Sequence, residues 1–456
     1  MNKNKQNKET KMKTSSTLKQ VNLEEALSGF FEMFKKEKEA VEVRFKNYAP
    51  RGGHPNWNDI ERRADELVAK ASEVIEFDDN TIAERVRETE RVSKALATTA
   101  VSASKNYTRF KNGNHAVLPP YFIWTMHNTC NFRCSYCDNH RGEKYFDLSS
   151  KGALDTEKGK KLLEVCRKNV TGVYFCGGEP TLRKDLPELV EYAHSINYFP
   201  LMINTNGSRI HEMLLDKRYS KWLKRMDIII VSLDALNVGL LSETWGVSKE
   251  LCEQVMVNIL ALRKLQSKVR FKLMVNTVIT PETISEADSI LDWTSDLGIW
   301  YSPVPMNCGA TVNNALMSDP AYKALADKII QRKKDGEKIL GSKRLIRRLM
   351  TGDEIQCYPT LKPHVDPDGS LLWPCKAVEA FEPHKINLLN YSSLDEAYHA
   401  ASKIVSVDNF HGCGEGQCGA DCNWMQNYVS DVYARGIQNP VSSGVINEIV
   451  EFVGSV

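Results

Sequence analysis

Three stretches near the N-terminus repeat apolar residues at helical spacing. Leu23, Leu27, Phe30, Phe31 and Phe34 share one face, as do Ile60, Ala64, Leu67, Val68, Ala71 and Ile75, and then Ile82, Val86, Val92, Leu96 and Ala100. Asn58 with Glu61, and Thr81 with Glu84, have the capping-box spacing that starts a helix. The intervening NYAPRGGHPNW is a loop by its proline and glycine content. From residue 117 the pattern changes to short β-rich apolar runs: PYFIWTM (120–126), VYFC (173–176), PLMINTN (200–206), DIIIVSLDA (227–235), RFKLMVNTV (270–278) and IWYSPVP (299–305). Amphipathic helices are predicted between them, near 157–169, 186–197, 209–224, 248–267 and 283–297. Six strands alternating with helices predict an α/β fold with a parallel sheet and right-handed crossovers, either open or curved into a partial barrel. In both, the chemistry sits at the C-terminal strand ends.

Beyond the sixth strand the pattern weakens. Residues 320–350 are helical and basic, with KRLIRRLM read as a solvated face. From 357 the chain is irregular and cysteine-rich, and it finishes in a short helix, VINEIVEFV. A chain of 456 residues holds about two to four domains. The expected boundaries are a basic disordered tail at 1–20, a helical N-terminal region at 21–116, a core barrel at 117–310, a helical connector at 311–350 and a small cysteine-rich domain at 351–456.

Composition changes this picture little. A formal net charge of +2 gives no global case for nucleic acid, and 42% hydrophobic residues is ordinary for a soluble protein. No apolar run approaches the roughly 18 residues of a membrane span, and the lysine-bearing N-terminus lacks the apolar core of a signal peptide. Twelve cysteines in such a chain predict a reducing, cytoplasmic setting in which thiols serve as metal ligands.

The cysteines carry the chemistry. CNFRCSYC places Cys130, Cys134 and Cys137 just beyond the first strand. By spacing alone this loop suits a zinc ion completed by His127 or His140, or a 4Fe–4S cluster with one iron left for a small molecule. The second strand ends in Gly177, Gly178, Glu179 and Pro180, the third in Asn204 to Gly207, and the fourth in Ser232 to Ala235. Glycines there let backbone approach a ligand, and a carboxylate can accept from an ammonium.

Taken in that order, the loop and strand ends resemble the radical S-adenosylmethionine (radical SAM) superfamily over residues 117–310. The resemblance implies a partial (β/α)6 barrel. It implies that Cys130, Cys134 and Cys137 hold the cluster, with the aromatic Tyr136 before the third cysteine. Gly177, Gly178 and Glu179 would line the SAM amino group, and Asn204, Asn206, Ser232, Asp234 and Asn276 would supply further SAM contacts. The stretch Pro303 to Met306 would line the adenine or the substrate. The activity implied is reductive cleavage of SAM to a 5′-deoxyadenosyl radical that takes hydrogen from an aliphatic carbon.

Cys357, Cys375, Cys413, Cys418 and Cys422, set among VDPDGSLLWPC, INLLNYSSLDEAY and HGCGEGQCGADC, resemble SPASM and twitch extensions. One auxiliary 4Fe–4S cluster on four of the five is implied, with Cys308 as an additional candidate. The same thiols would also build a structural zinc ribbon. Cys166, Cys252 and Cys176 are expected to pack as apolar residues. The expected partners are a small-molecule or lipid substrate and a reductant such as ferredoxin or flavodoxin, with no nucleic acid. The basic tail leaves peripheral membrane contact open. A peptide-modifying enzyme and a non-catalytic iron–sulfur carrier or sensor are the alternatives.

Overall fold

The structure, a computed structural model, describes residues 54–75, 82–138, 143–219, 221–309, 311–353, 355–378, 381–408 and 422–455. The tail, the helix expected over Leu23–Phe34, and Thr81, His140, Cys413 and Cys418 lie outside the described residues.

Six parallel strands, β1 (Tyr121–Thr125), β2 (Gly172–Cys176), β3 (Leu201–Thr205), β4 (Ile228–Ser232), β5 (Lys272–Ile279) and β6 (Trp300–Pro305), lie side by side in sequence order. The same sheet continues past β1 through a two-residue strand β7 (His364–Val365), parallel to β1, and an antiparallel pair β8 (Ser370–Trp373) and β9 (His384–Asn387). The cysteine-rich segment is therefore joined to the barrel edge by backbone pairing.

Two helices precede the sheet, α1 (Trp57–Val74) and α2 (Ile82–Lys111). Crossovers are made by α3 (Thr156–Arg167), α4 (Leu186–Ser195), α5 (Ile210–Leu214), α6 (Trp222–Arg225), α7 (Val238–Trp245), α8 (Lys249–Leu265) and α9 (Ile284–Leu297). After β6 come α10 (Asn314–Ser318), α11 (Pro320–Lys334), α12 (Lys343–Thr351), α13 (Leu394–Ser402), α14 (Met425–Gln438) and α15 (Ser443–Ser455). Side chains alternate along a strand, so one face of the sheet packs on the helices. Phe122, Trp124, Val173, Phe175, Ile203, Ile229, Val231, Leu273 and Val275 form that layer and are fully buried. The other face lines the barrel interior.

Helix α1 buries Ile60, Ala64, Leu67 and Ala71, as its periodicity predicts, with Trp57 5.9 Å from Trp293 of α9 between ring centroids. Its cap differs from expectation. Asn56 is the N-cap, its side chain accepting from the Asn58 and Asp59 amides at 3.2 and 3.4 Å, two residues before the capping box expected from Asn58.

Helix α2 overturns the expected face. Ile82 is 82% exposed, Val86 59% and Leu96 40%, while Arg91, Ala95, Ser102 and Asn106 are buried. The cause is the backbone at the N-terminal ends of the strands, whose polar groups need partners. Arg91 donates to the Tyr198 carbonyl at 2.5 Å and forks onto Asp227 at 2.6 and 3.1 Å. Ser102 donates to the Asn169 carbonyl at 2.8 Å, and Asn106 exchanges two 2.7 Å bonds with Leu118. Polar satisfaction thus outweighs the apolar stripe. An Arg91→Met variant would leave a nearly buried Asp227 carboxylate uncompensated, and we expect a loss of about 3–5 kcal/mol in urea unfolding. A loss under about 1 kcal/mol, the range of an exposed pair, would contradict this clamp.

The basic run in α12 is a solvated face only in part, at the exposed Lys343 and Arg347. Arg344 and Arg348 donate to Asp431 of α14 at 2.7 and 2.9 Å, and Arg344 also meets Glu448 of α15 at 3.2 Å. Helix α15 closes the base of the barrel, where Lys272 donates to the Gly454 carbonyl at 3.1 Å. The opposite end, at the C-terminal strand tips, is left for the site.

Candidate active site

The strand register decides which side chains face the interior. Ile123, Tyr174, Met202, Ile228 and Lys272 form one rung, with His364 beside Ile123. Asn204, Ile230, Met274 and Trp300 form the next. Ser232, Asn276 and Ser302 form the top one, where the Ser302 hydroxyl donates to Asn276 Oδ1 at 3.1 Å. The interior is thus apolar and aromatic at depth and polar at the mouth. Asn204 Oδ1 is buried with no partner, a costly state that a ligand would relieve. Cys176, expected to pack, ends β2 on this inward face beside Thr125.

The three-cysteine loop is tied down on all sides. On leaving β1 it crosses the end of β2, where the Gly178 and Glu179 amides donate to the His127 and Thr129 carbonyls at 2.7 and 2.8 Å. A side chain at Gly177, whose φ is 151°, would meet the His127 oxygen at 2.4 Å. Further on, the Arg133 and Ser135 amides donate to the Trp245 and Thr244 carbonyls of α7, both at 2.9 Å, and Phe132 stacks 5.1 Å from Trp245. Asn206 donates to Asn131 Oδ1 at 3.0 Å and lies 3.9 Å from Cys130 Sγ.

Two buried carboxylates brace this loop. Glu179 accepts from the Thr181 amide and hydroxyl at 3.0 and 2.6 Å, the Thr205 hydroxyl at 2.6 Å and the Asn206 amide at 2.7 Å. Burial raises its carboxyl above the usual range, against the pull of those bonds. Asp234 accepts from the Tyr136 hydroxyl, from Trp245 Nε1 at 2.6 Å and from the Val278 amide at 2.8 Å. Burial raises its pKa too. Both carboxylates are therefore taken up by protein donors, and Tyr136 points at Asp234. The residues expected to touch SAM thus divide: Asn204, Ser232 and Asn276 face the interior, Gly177 and Gly178 carry the loop crossing, and Glu179, Asp234, Tyr136 and Asn206 hold the loop in place. We expect Asp234→Ala to strand three buried donors, costing about 3 kcal/mol or more. Unfolding of the variant at an unchanged denaturant midpoint would refute that bracing role.

The thiols of Cys130, Cys134 and Cys137 are each pushed up by burial, Cys137 to about 11, and each is raised further by neighbouring negative charge, which for Cys134 includes both other thiols and for Cys137 includes Cys130. Three soft donors therefore share one electrostatic neighbourhood in an apolar collar. A metal that replaces their protons fits this donor set. Among the described residues no three His, Cys, Asp or Glu side chains gather round one point closely enough for a single ion. A 4Fe–4S cluster, in which each thiolate takes its own iron, does not require that.

The second cysteine group is partly assembled. Cys375 and Cys422 are buried together with Ala377 and partly buried Trp424. Thr311 links Cys308 to Cys422 through short β-bridges. Cys357 is half-buried, and Cys166 and Cys252 are sealed in the core, as expected of packing residues.

Residues 124–294 match the family description "Radical SAM superfamily". The chain carries a radical SAM domain. This superfamily uses a 4Fe–4S cluster and SAM, so the donor set fits the group the domain implies. An Fe-coproporphyrin III synthase of Methanosarcina barkeri is 36% identical over 120 residues, 26% of this chain and 28% of that protein. A probable GTP 3′,8-cyclase of Saccharolobus islandicus is 33% identical over 125 residues, 27% and 37% of the two chains. The matched segment thus spans about a third of these relatives. A putative glycyl-radical enzyme activating enzyme of Methanocaldococcus jannaschii is 29% identical over 216 residues, 47% of this chain and 76% of that one. SuiB of Streptococcus suis, crystallised with SAM, aligns over 66% of this chain and 71% of its own at 18% identity and a TM-score of 0.49. Among the described residues no helix is long and apolar enough to cross a membrane.

Proposed function

We propose that the protein reductively cleaves SAM and uses the radical to abstract hydrogen from an aliphatic carbon of a small-molecule or lipid substrate. The observation that carries this reading is the loop of three half-buried thiols beside the inward-facing Asn204, whose buried Oδ1 has no partner. When bound and reduced, a cluster would supply the one electron for cleaving SAM to methionine and, after hydrogen transfer from the substrate, 5′-deoxyadenosine.

The protein's own groups do the rest. Cys130, Cys134 and Cys137 hold the cluster, while Asn204, Ser232 and Asn276 turn polar atoms into the mouth for SAM. Met202, Ile228, Met274 and the aromatic Tyr174 and Trp300 line the interior below and keep it poor in water, which protects a radical from quenching. Cys375 and Cys422, buried together, would seed an auxiliary cluster with further cysteines of the segment. A low-potential ferredoxin or flavodoxin would deliver the electron. A carrier or sensor would have no use for an unpaired inward amide, which favours the enzyme.

The test is anaerobic reconstitution with iron and sulfide, reduction with dithionite and assay for 5′-deoxyadenosine. We expect nucleoside and methionine in equal amounts. Wild-type protein that is fully loaded yet releases no 5′-deoxyadenosine would refute the reading.

A further inference from the structure

Helix α2 is fastened to the barrel by its polar side and turns its apolar side outward. Arg91, Ser102 and Asn106 are spent on the strand-entry backbone. Helical spacing puts Ile82, Val86, Leu96, Ala100 and Tyr107 together on the other side, with Ser93 between them. All are exposed, and among the described residues nothing is packed over them. No charged residue interrupts this stripe before Lys111. Single exposed apolar residues are ordinary, but a neutral stripe roughly 40 Å long, at 1.5 Å per residue over residues 82–107, has the character of a contact surface.

One stretch of the same chain carries a matching face. Leu23, Leu27, Phe30, Phe31 and Phe34 are apolar at helical spacing and belong to residues 1–53, outside the described residues. The charges among them are all acidic: Glu24, Glu25 and Glu32, with no Lys or Arg over residues 21–34. Beside Ile82, Val86 and Leu96, the exposed flanks of α2 carry Arg85, Arg87 and Lys94 against Glu90. An acid-edged apolar face thus meets a stripe whose edges are net basic. Reach is sufficient, since residues 35–53 can extend to roughly 60 Å, more than the roughly 45 Å length of α2 itself. A tether of this kind gives an effective concentration on the order of millimolar, so even a small interface is occupied. A second copy docking through a two-fold contact would set the basic flank against itself. A surface of anionic lipid would attract that flank but repel the acids of residues 21–34.

We infer that residues 23–34 dock as an amphipathic helix on the outward side of α2, with their apolar face on Ile82, Val86 and Leu96 and their acids toward Arg85, Arg87 and Lys94. The occupant of this surface is therefore the chain's own N-terminal segment, held as a helix laid in an apolar groove.

The test uses the full-length, cluster-loaded protein with p-benzoylphenylalanine in place of Val86, which is 59% exposed and so tolerates the exchange. Light and heavy-nitrogen chains are mixed, irradiated, digested with trypsin and read by peptide mass. We expect position 86 to be joined to the peptide of residues 20–35 of its own chain. The same label in place of Ile404, exposed in the segment that meets the far end of α2 through Asp395 and Asp408, should capture at least about tenfold less of that peptide. Hydrogen exchange gives a second reading on unlabelled protein. The amides of residues 23–34 should be protected in wild type, and Val86→Asp should speed their exchange at least about tenfold while the barrel strands exchange as before. Cross-links from position 86 to a second copy, to added phosphatidylglycerol vesicles, or to no part of residues 20–35 overturn the proposal. So does exchange of residues 23–34 that Val86→Asp leaves unchanged. None of these readouts depends on cleavage of SAM, so the docking stands or falls apart from the proposed activity.

Discussion

Cys134→Ala is expected to abolish 5′-deoxyadenosine formation, by at least about a hundredfold, since even outer partners of metal ligands cost ten- to a hundredfold when lost. Cys134 is the middle of the three thiols. Burial and then the negative charge of Asp234, Cys137 and Cys130 act on it, and its carbonyl accepts from the Cys137 amide at 3.2 Å. Removing its sulfur leaves two thiolates where the donor set had three. The fold should survive, because the loop is anchored by Gly178, Arg133 and Ser135 rather than by that thiol. The expected result is a denaturant midpoint near that of wild type with loss of the cluster's absorbance and of nucleoside product. Cys375→Ala serves as the contrast. It lies in the second group and should leave the first cluster's spectrum in place. Cys134→Ala protein that keeps both cluster and product would remove the basis for the proposed function.

Much of the barrel was legible because parallel strands buried on one side by helices read as compact β-rich runs. Five of the six fell within two residues of expectation at each end, β4 stopped three residues early at Ser232, and the crossover helices followed except that the one expected over 209–224 is broken into α5 and α6. The site was legible where backbone chemistry demands particular residues: the cysteine spacing and the paired glycines announce themselves. What stayed hidden depends on tertiary neighbours. A strand of two residues, His364–Val365, carries no period at all, so the inward turn of His364 had no sequence signal. The short helix α7 was missed for the same reason, although its Trp245 is one wall of the loop.

Polar residues were the other blind spot. A strand-end Asp reads as a ligand group, and nothing in the sequence signals that Asp234 also accepts from Tyr136, Trp245 and Val278. An Arg and an Asn on a helix read as its outer face, yet in α2 they are its buried face, because strand-entry carbonyls and Asp227 await them. The same logic turns Arg344 and Arg348 of α12 toward Asp431, on a helix that went unpredicted because its buried positions mix Asn427, Ser430 and Asp431 with apolar residues. In each case the deciding partner lies far along the chain, where periodicity has no reach.

Gly178→Ala is expected to cost cluster content and activity together. A Cβ at Gly178 would sit 2.1 Å from the Thr129 oxygen and 2.4 Å from that of Asn128. Both are backbone atoms, so no rotamer change relieves the overlap, and the chain leading into Cys130 must move. That same chain is held by the Gly178 and Glu179 amides, so the added methyl pushes against the bonds that fix the loop. Overpacking of this kind costs about 1–3 kcal/mol. The larger effect is on geometry, since Cys130 follows Thr129 directly, and displaced ligands of this sort reduce metal affinity or rate by roughly ten- to a hundredfold. Gly444 offers the control. It lies in α15 with nothing within 4 Å of the position a Cβ would take, so Gly444→Ala should be neutral or add about 0.5–1 kcal/mol through helix propensity. Iron content, 5′-deoxyadenosine yield and denaturant midpoint measured on both variants separate the two effects. A Gly178→Ala protein with full iron content and wild-type yield would show that the crossing of the loop over the end of β2 does not set the position of the cysteines.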